Sequence, residues 1–345
     1  MTMLLERLGP VVPPIHGDAT RREFIVGGVA AGLLVVAGCG SGDDVDSASP
    51  STTASGGAFP VTIEHKYGST VIPAEPTRVV TAGFNDSDYA LAFGVTPVGV
   101  RDFIGPFAED TRPWAQEALA GAEPEKVSGP DGVLNYEVIA GLRPDLILAY
   151  SYLEEAEYEK LAGLAPTVVE PSQGSGWREH TLVVGRALGQ PGRAEQLVAQ
   201  VEARFATAID RHPEFVGKTA AIRFGDADTD AYYLLEPDDP RSGLFTSLGF
   251  ELPDQTGEIS REQVELLDQD VIVAIGADPQ AYEDDELFQG LQAVREGRVA
   301  YLGGFETDFA GALGFDSPLS LPAAVDIVVP ALAAALDGDP ATVAS

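Results

Sequence analysis

Residues 135–149 read NYEVIAGLRPDLILA, and residues 260–274 read SREQVELLDQDVIVA. Aligned without gaps, Asn135 falls on Ser260, Glu137 on Glu262, Ile139 on Val264, Leu142 on Leu267 and Asp145 on Asp270. The apolar runs LILA and VIVA then coincide. Each stretch reads as a short helix followed by a buried strand. A chain that writes this phrase twice is built from two similar units, and that limits its fold more than any composition does.

The surrounding sequence supplies the rest of each unit. A hairpin is predicted over residues 61–65 and 70–73, then a buried strand over 78–82, a helix over 86–93 and a strand over 96–100. After the Asn135 helix come a strand over 145–149, a helix near 154–162 and a strand over 167–169. Continuous apolar strands alternating with helices signal parallel sheets covered on both faces. Residues 192–212 break the alternation, because Leu197, Val198, Val201, Phe205, Ala208 and Ile209 recur at helical spacing. Pro191 suits the first turn of that helix, and Pro213 lies just past its end. About 20 helical residues span ~30 Å, enough to join two lobes. The alternation restarts with strands over 219–224 and 232–235, helices over 242–248 and 262–267, strands over 271–275 and 298–302, and a final helix over 317–336. The predicted fold is therefore α/β: two similar Rossmann-like lobes with mainly parallel sheets, joined by one long α-helix. The N-terminal lobe is expected at residues 60–189, the linking helix at 190–213, the C-terminal lobe at 214–337 and a tail at 338–345.

The first residues read as an address. Thr20-Arg21-Arg22-Glu23-Phe24-Ile25 is a twin-arginine pattern, and the apolar run from Phe24 to Gly38 is shorter than the ~20 residues of a membrane span. Val36-Ala37-Gly38-Cys39 resembles a lipobox, so residues 1–38 are expected to be an export signal and Cys39 the lipidated first residue. Residues 39–59 are small and polar, as a flexible tether is. The expected location is the extracytoplasmic face of the membrane.

Several functions are excluded or disfavoured. The formal net charge is -33, which repels nucleic acid. Cys39 is the only cysteine, so no intrachain disulfide forms. The four histidines, His16, His65, His180 and His212, do not group into one metal site by this layout. No G-x-S-x-G elbow, P-loop or H-E-x-x-H occurs, and no catalytic residue is assigned.

Asn135 and Ser260 are good helix N-caps, and Ser260 with Gln263 makes a capping box. Glu137 and Glu262 then fall in the first turns, where a carboxylate gains ~0.3–1 kcal/mol from the helix dipole. Outward-pointing carboxylates, one per lobe, also suit docking onto a basic partner.

Ile72-Pro73-Ala74-Glu75-Pro76-Thr77-Arg78-Val79-Val80, Leu91-Ala92-Phe93-Gly94-Val95-Thr96-Pro97-Val98-Gly99-Val100 and Ile139-Ala140-Gly141-Leu142-Arg143-Pro144-Asp145-Leu146-Ile147 carry a resemblance. So do Asp239-Pro240-Arg241-Ser242, Leu248-Gly249-Phe250 and Ser317-Pro318-Leu319-Ser320-Leu321-Pro322. With the lipobox and the tether, they resemble the ferric-siderophore-binding lipoproteins of ABC importers, in particular the actinobacterial branch. The resemblance implies that Glu137 and Glu262 dock onto arginines of the permease dimer. It implies a ligand cleft between the lobes, with no cofactor and with iron arriving already chelated. By their places after strands, the expected ligand-binding residues are Phe84, Asn85, Arg101, Trp114, Tyr150, Tyr152 and Trp177 from the first lobe, and Arg223, Phe224, Tyr233, Arg241, Phe309 and Ser317 from the second. A hydroxamate-type ferric siderophore is the preferred ligand. Haem, cobalamin, or a sensing or assembly role without import stand as alternatives.

Overall fold

The computed structural model describes residues 59–102, 107–108, 111–150, 153–172, 174–225 and 231–339. The expected signal, Cys39 and nearly all of the tether lie outside the described residues, as do Tyr152 and the end of the tail.

The chain enters through an antiparallel hairpin, β1 (Val61–His65) and β2 (Gly68–Ile72), in which Val61 pairs with Ile72. The hairpin is stapled to the first lobe: Thr70 Oγ1 donates to the Thr167 carbonyl at 2.7 Å, and Lys66 pairs with Glu170 at 2.6 Å. The first lobe then runs β3 (Val79–Thr81), α1 (Asp86–Ala92), β4 (Gly99–Val100), a 3-10 turn (Pro113–Ala115) with α2 (Gln116–Leu119), β5 (Glu125–Lys126), α3 (Tyr136–Leu142), β6 (Leu146–Leu148), α4 (Glu155–Ala162), β7 (Thr167–Val168) and α5 (Trp177–Ala187). Its sheet is parallel throughout, in the order β5-β4-β3-β6-β7. The linking helix α6 spans Pro191–Arg211, within a residue or two of the sequence reading.

The second lobe runs β8 (Ala220–Phe224), β9 (Ala231–Leu234), α7 (Ser242–Ser247), β10 (Gly257–Ser260), a 3-10 helix (Arg261–Leu267), β11 (Val271–Gly276), a 3-10 turn (Pro279–Tyr282), α8 (Glu286–Gln289), α9 (Gln292–Arg295), β12 (Val299–Gly304), α10 (Asp308–Phe315) and α11 (Ser320–Ala335). Its order, β10-β9-β8-β11-β12, matches the first sheet position by position. Only β9 departs, running antiparallel to both β8 and β10. The repeated phrase therefore occupies the same place in each lobe, ahead of β6 and of β11.

The aligned aspartates share one task. Asp145 accepts the Thr77 N–H at 2.9 Å, the Thr77 hydroxyl at 2.8 Å and the Arg78 N–H at 2.8 Å, at the entry to β3. Asp270 accepts the Thr219 N–H at 3.0 Å and Lys218 Nζ at 2.9 Å, at the entry to β8. Burial opposes ionisation of Asp145, but the bonds from Arg78 and Thr77 outweigh it and hold the carboxyl below its ordinary value. The Thr219 and Lys218 bonds do the same for Asp270.

Several elements differ from the sequence reading. The second copy of the repeated helix is a 3-10 helix, kinked at Gln263. The final helix starts at Ser320, and a separate helix, α10, precedes it. Helix α5 is an element that the sequence reading lacks; its buried face mixes the polar His180 and Thr181 with Trp177 and Val184. Strand β10 carries one buried aliphatic residue, Ile259, too little for a pattern.

The linking helix is not the sole connection. One continuous core runs from Ile63 and Val79 through Val184 of α5 and Leu197, Val201 and Phe205 of α6 to Val271, Val273 and Leu332. Each lobe adds a smaller core on its other face. A core shared between lobes resists their relative rotation, because rotation would open apolar surface to water.

Candidate functional site

The C-terminal ends of parallel strands are where α/β sheets bind ligands. In the first lobe one carboxylate organises this end. Asp86, at the start of α1, accepts the Gly83 N–H and the Tyr150 N–H, each at 2.9 Å. It thereby ties the chain leaving β3 to the chain leaving β6. Only glycine fits at position 83: an added Cβ would lie 2.0 Å from the Tyr150 carbonyl oxygen and 2.3 Å from Asp86 Oδ2. His180 of α5 is sandwiched between Tyr150 and Tyr89, with ring centroids 3.4 and 3.8 Å away, and its Nε2 lies 3.4 Å from Asp86 Oδ1. Burial lowers the His180 pKa against the pull of Asp86. The Tyr150 hydroxyl donates to the Ser175 carbonyl, and burial raises its pKa.

Above this floor stands Arg101, which follows β4. Its guanidinium lies 4.0 Å over the Phe84 ring, while Nε donates to the Gly132 carbonyl at 3.0 Å and Nη1 to the Ala82 carbonyl at 3.3 Å. The second lobe repeats the arrangement. Phe224 ends β8, the counterpart of β3, and Arg241 follows β9, the counterpart of β4. The Arg241 guanidinium again lies 4.0 Å over the phenyl ring. Here the cation is paired: Nε donates to Asp239 Oδ1 at 2.8 Å and Nη2 to Oδ2. Tyr233 is half-buried and donates to Glu236 Oε2 at 3.0 Å; burial, then Glu236, pushes its pKa up to about 12. Each lobe thus offers a half-buried phenylalanine capped by an oriented arginine, a surface for an apolar group with oxygen acceptors at its edge.

Five expected contacts stand elsewhere. Trp177 is 9 % exposed, in the first turn of α5, and packs into the shared core rather than at a cleft mouth. Phe309 is 2 % exposed and belongs to the same core. Arg223 is 1 % exposed and lies inside the second lobe. Its Nη1 donates to the Gly225 carbonyl and, at 2.9 Å, to the Tyr282 hydroxyl, so it sits inside the lobe rather than at an edge. Ser317 is fully buried; its hydroxyl donates to Asp88 at 3.0 Å and accepts the Ser320 N–H at 3.0 Å, which starts α11. Trp114 is half-buried, but its indole N–H is engaged by Asp88 at 2.7 Å and its ring packs on Phe107 and Phe315.

Sequence reasoning missed this seam between the lobes. Asp88 of α1 accepts from Trp114 and Ser317 and lies 3.2 Å from Arg112, with both charges buried. Next to it, Asn85 donates to the Phe315 carbonyl at 3.1 Å and Tyr89 to the Asp316 carbonyl at 2.6 Å. Three residues of α1 and its cap thus hold residues 315–317 of the other lobe. The one signal in the sequence is a pair of carboxylates, Asp86 and Asp88, directly ahead of the apolar residues Tyr89-Ala90-Leu91-Ala92-Phe93.

Glu137 and Glu262 are both exposed. Asn135 caps α3 by accepting the N–H groups of Glu137 and Val138 at 3.2 Å each, and Ser260 donates its N–H to Gln263 at 3.2 Å. Among the described residues no helix is long and apolar enough to cross a membrane.

Comparison with known proteins agrees with this architecture. The chain is similar to a crystal structure of a periplasmic solute binding protein from Mycobacterium smegmatis, with 33 % identity and a TM-score of 0.71 over 80 % of this chain and 98 % of that one. It is similar to PiaA of Streptococcus pneumoniae in complex with ferrichrome, with 28 % identity and a TM-score of 0.71 over 81 % of this chain and 99 % of that one. Among sequence relatives is the probable siderophore-binding lipoprotein YfiY of Bacillus subtilis, 26 % identical over 67 % of this chain and 68 % of its own length. The model of the periplasmic binding protein family matches residues 88–304, from the seam in α1 to the end of β12. Two matched sheets and a shared helical spine agree with that match, and the chain belongs to the periplasmic binding protein family, a family of binding proteins and not of enzymes.

Proposed function

We propose that this protein captures an iron(III)–siderophore complex of the hydroxamate type outside the cytoplasm and delivers it to an ABC permease. The observation that carries the reading is the matched pair of arginine-over-phenylalanine stacks, Arg101 on Phe84 and Arg241 on Phe224, one from each lobe. A ferric hydroxamate presents polar oxygens around the metal and an aliphatic backbone outside, and the two kinds of group in each stack suit the two kinds of surface. The charge balance favours this class. Arg241 is neutralised by Asp239, which leaves Arg101 as the cation of the set without a carboxylate in contact. Ferric catecholates and citrates carry more negative charge and would need more than one such cation to offset its burial. The ferrichrome complex of PiaA supports the same class, and the name of YfiY supports a siderophore as the ligand.

In this reading Phe84, Asn85, Arg101, Tyr150, Phe224, Tyr233 and Arg241 face the ligand, and Glu137 and Glu262 dock on the permease. The twin-arginine signal exports the chain, and lipid on Cys39 anchors it through the tether at the extracytoplasmic face. Isothermal calorimetry with a ferric trihydroxamate, a ferric tris-catecholate and ferric citrate tests the ligand class. Saturable binding is expected for the trihydroxamate; tighter binding of the catecholate or citrate would reverse the class assignment.

A further inference from the structure

Phe305 follows β12, at the cleft end of the second sheet, and its side chain is 40 % exposed. Most large apolar side chains of this lobe are buried, so an exposed phenyl ring at the cleft end calls for a reason. Its placement is built. The ring lies 4.9 Å from that of Phe224, whose other neighbour is the Arg241 guanidinium at 4.0 Å. Beneath it, Gly276 at the end of β11 has φ +108, and an added Cβ there would meet Phe305 Cζ at 2.6 Å and the Gly225 carbonyl oxygen at 2.7 Å. Gly225 itself has φ +128. Two glycines in backbone that side chains rarely adopt let the ends of β8 and β11 close up, and the phenyl ring rests on the resulting ledge.

We propose that Phe305 is a ligand-seating residue, presenting an apolar face to the uncharged aliphatic flank of the bound chelate. The inference rests on the reading of the cleft as a chelate site. The Arg241 cation stacked on Phe224 is paired with Asp239, and the Phe305 ring itself offers the chelate shape and apolar contact rather than charge. Phe305 sets which chelates of equal charge are accepted, and Arg101 discriminates between charges.

The test uses the full-length chain in detergent with a ferric trihydroxamate as probe. Phe305→Ala is expected to weaken binding by ~10-fold or more, the range of a well-packed aromatic contact, with the melting temperature unchanged. Phe305→Leu restores most of the affinity. In Phe305→Trp the new indole is expected to be quenched as the chelate saturates, beyond the change seen for the wild type. Wild-type affinity in Phe305→Ala, or no added quenching in a Phe305→Trp variant that calorimetry shows to be saturated, overturns the proposal. If the wild type releases no heat with a trihydroxamate, a tris-catecholate or ferric citrate, the chelate reading fails first and this assignment falls with it.

Discussion

Ser317 donates its hydroxyl proton to Asp88 across the two lobes, at 3.0 Å, and both side chains are fully buried. The bond sits beside the Asp88–Arg112 ion pair at 3.2 Å. The lobes are therefore tied at the head of α1 as well as through α6. Removing one partner of a buried pair leaves the other charge without compensation, at a cost of ~3–5 kcal/mol. Asp88→Ala is expected to lower the melting temperature sharply, whereas Ser317→Ala costs about 1 kcal/mol and leaves chelate affinity intact. Thermal melts and calorimetry on the two variants check this, and a large affinity loss in Ser317→Ala would return that residue to the ligand site.

Gly83 has no space for a methyl group between the Tyr150 carbonyl and Asp86. Overpacking of this kind costs ~1–3 kcal/mol, and here it also pushes apart the ends of β3 and β6. Gly83→Ala should both lower stability and weaken ligand binding. Gly141, where an added Cβ meets nothing within 4 Å, supplies the control substitution, with neither effect expected.

Asp316 sits in left-handed backbone at φ 43, and burial raises its pKa to about 7 despite the Trp177 N–H that it accepts. A carboxyl whose folded pKa is raised favours the folded state while protonated. That contribution is full below the ordinary value of about 4 and is lost as pH rises through about 7. Asparagine tolerates the same backbone and carries no charge. Asp316→Asn is expected to raise the melting temperature at pH 8 and to leave it unchanged near pH 4. An equal shift at both pH values would show that charge is not the cause.

Glu137 and Glu262 are exposed at equivalent places in the two lobes. Reversing both to arginine should leave chelate affinity and melting temperature as in the wild type and abolish uptake by cells, because in the proposed docking each would face a basic permease surface with like charge. Uptake at the wild-type rate would remove the docking role and leave the first-turn carboxylates as helix-dipole partners.

Much of this architecture is written locally. The doubled phrase at residues 135–149 and 260–274 announces two lobes, since apolar runs and caps act over a few neighbouring residues and need no tertiary context. Helix α6 follows from its own periodicity, within a residue or two at each end. The caps at Asn135 and Ser260 and the exposure of Glu137 and Glu262 belong to the same class. Helix α5 is hard to read because two polar residues lie on its buried face: His180, whose Nε2 stands 3.4 Å from the distant Asp86, and Thr181, which donates to the Trp177 carbonyl.

The site divides along the same line. A residue placed after a strand is read from order alone, and that order puts Phe84, Arg101, Phe224 and Arg241 just past the strands of their sheets. Whether such a residue faces a cleft or a core depends on what the rest of the chain packs over it. Phe309, Trp177 and Ser317 follow the same sequence rule and are sealed, because α5, α10 and α11 close over them. Local sequence determined the two lobes, their spine and their exposed acidic feet; tertiary structure alone decided the seam at Asp88 and the Phe305 ledge, since both arise from groups far apart in the chain whose partners no local pattern encodes.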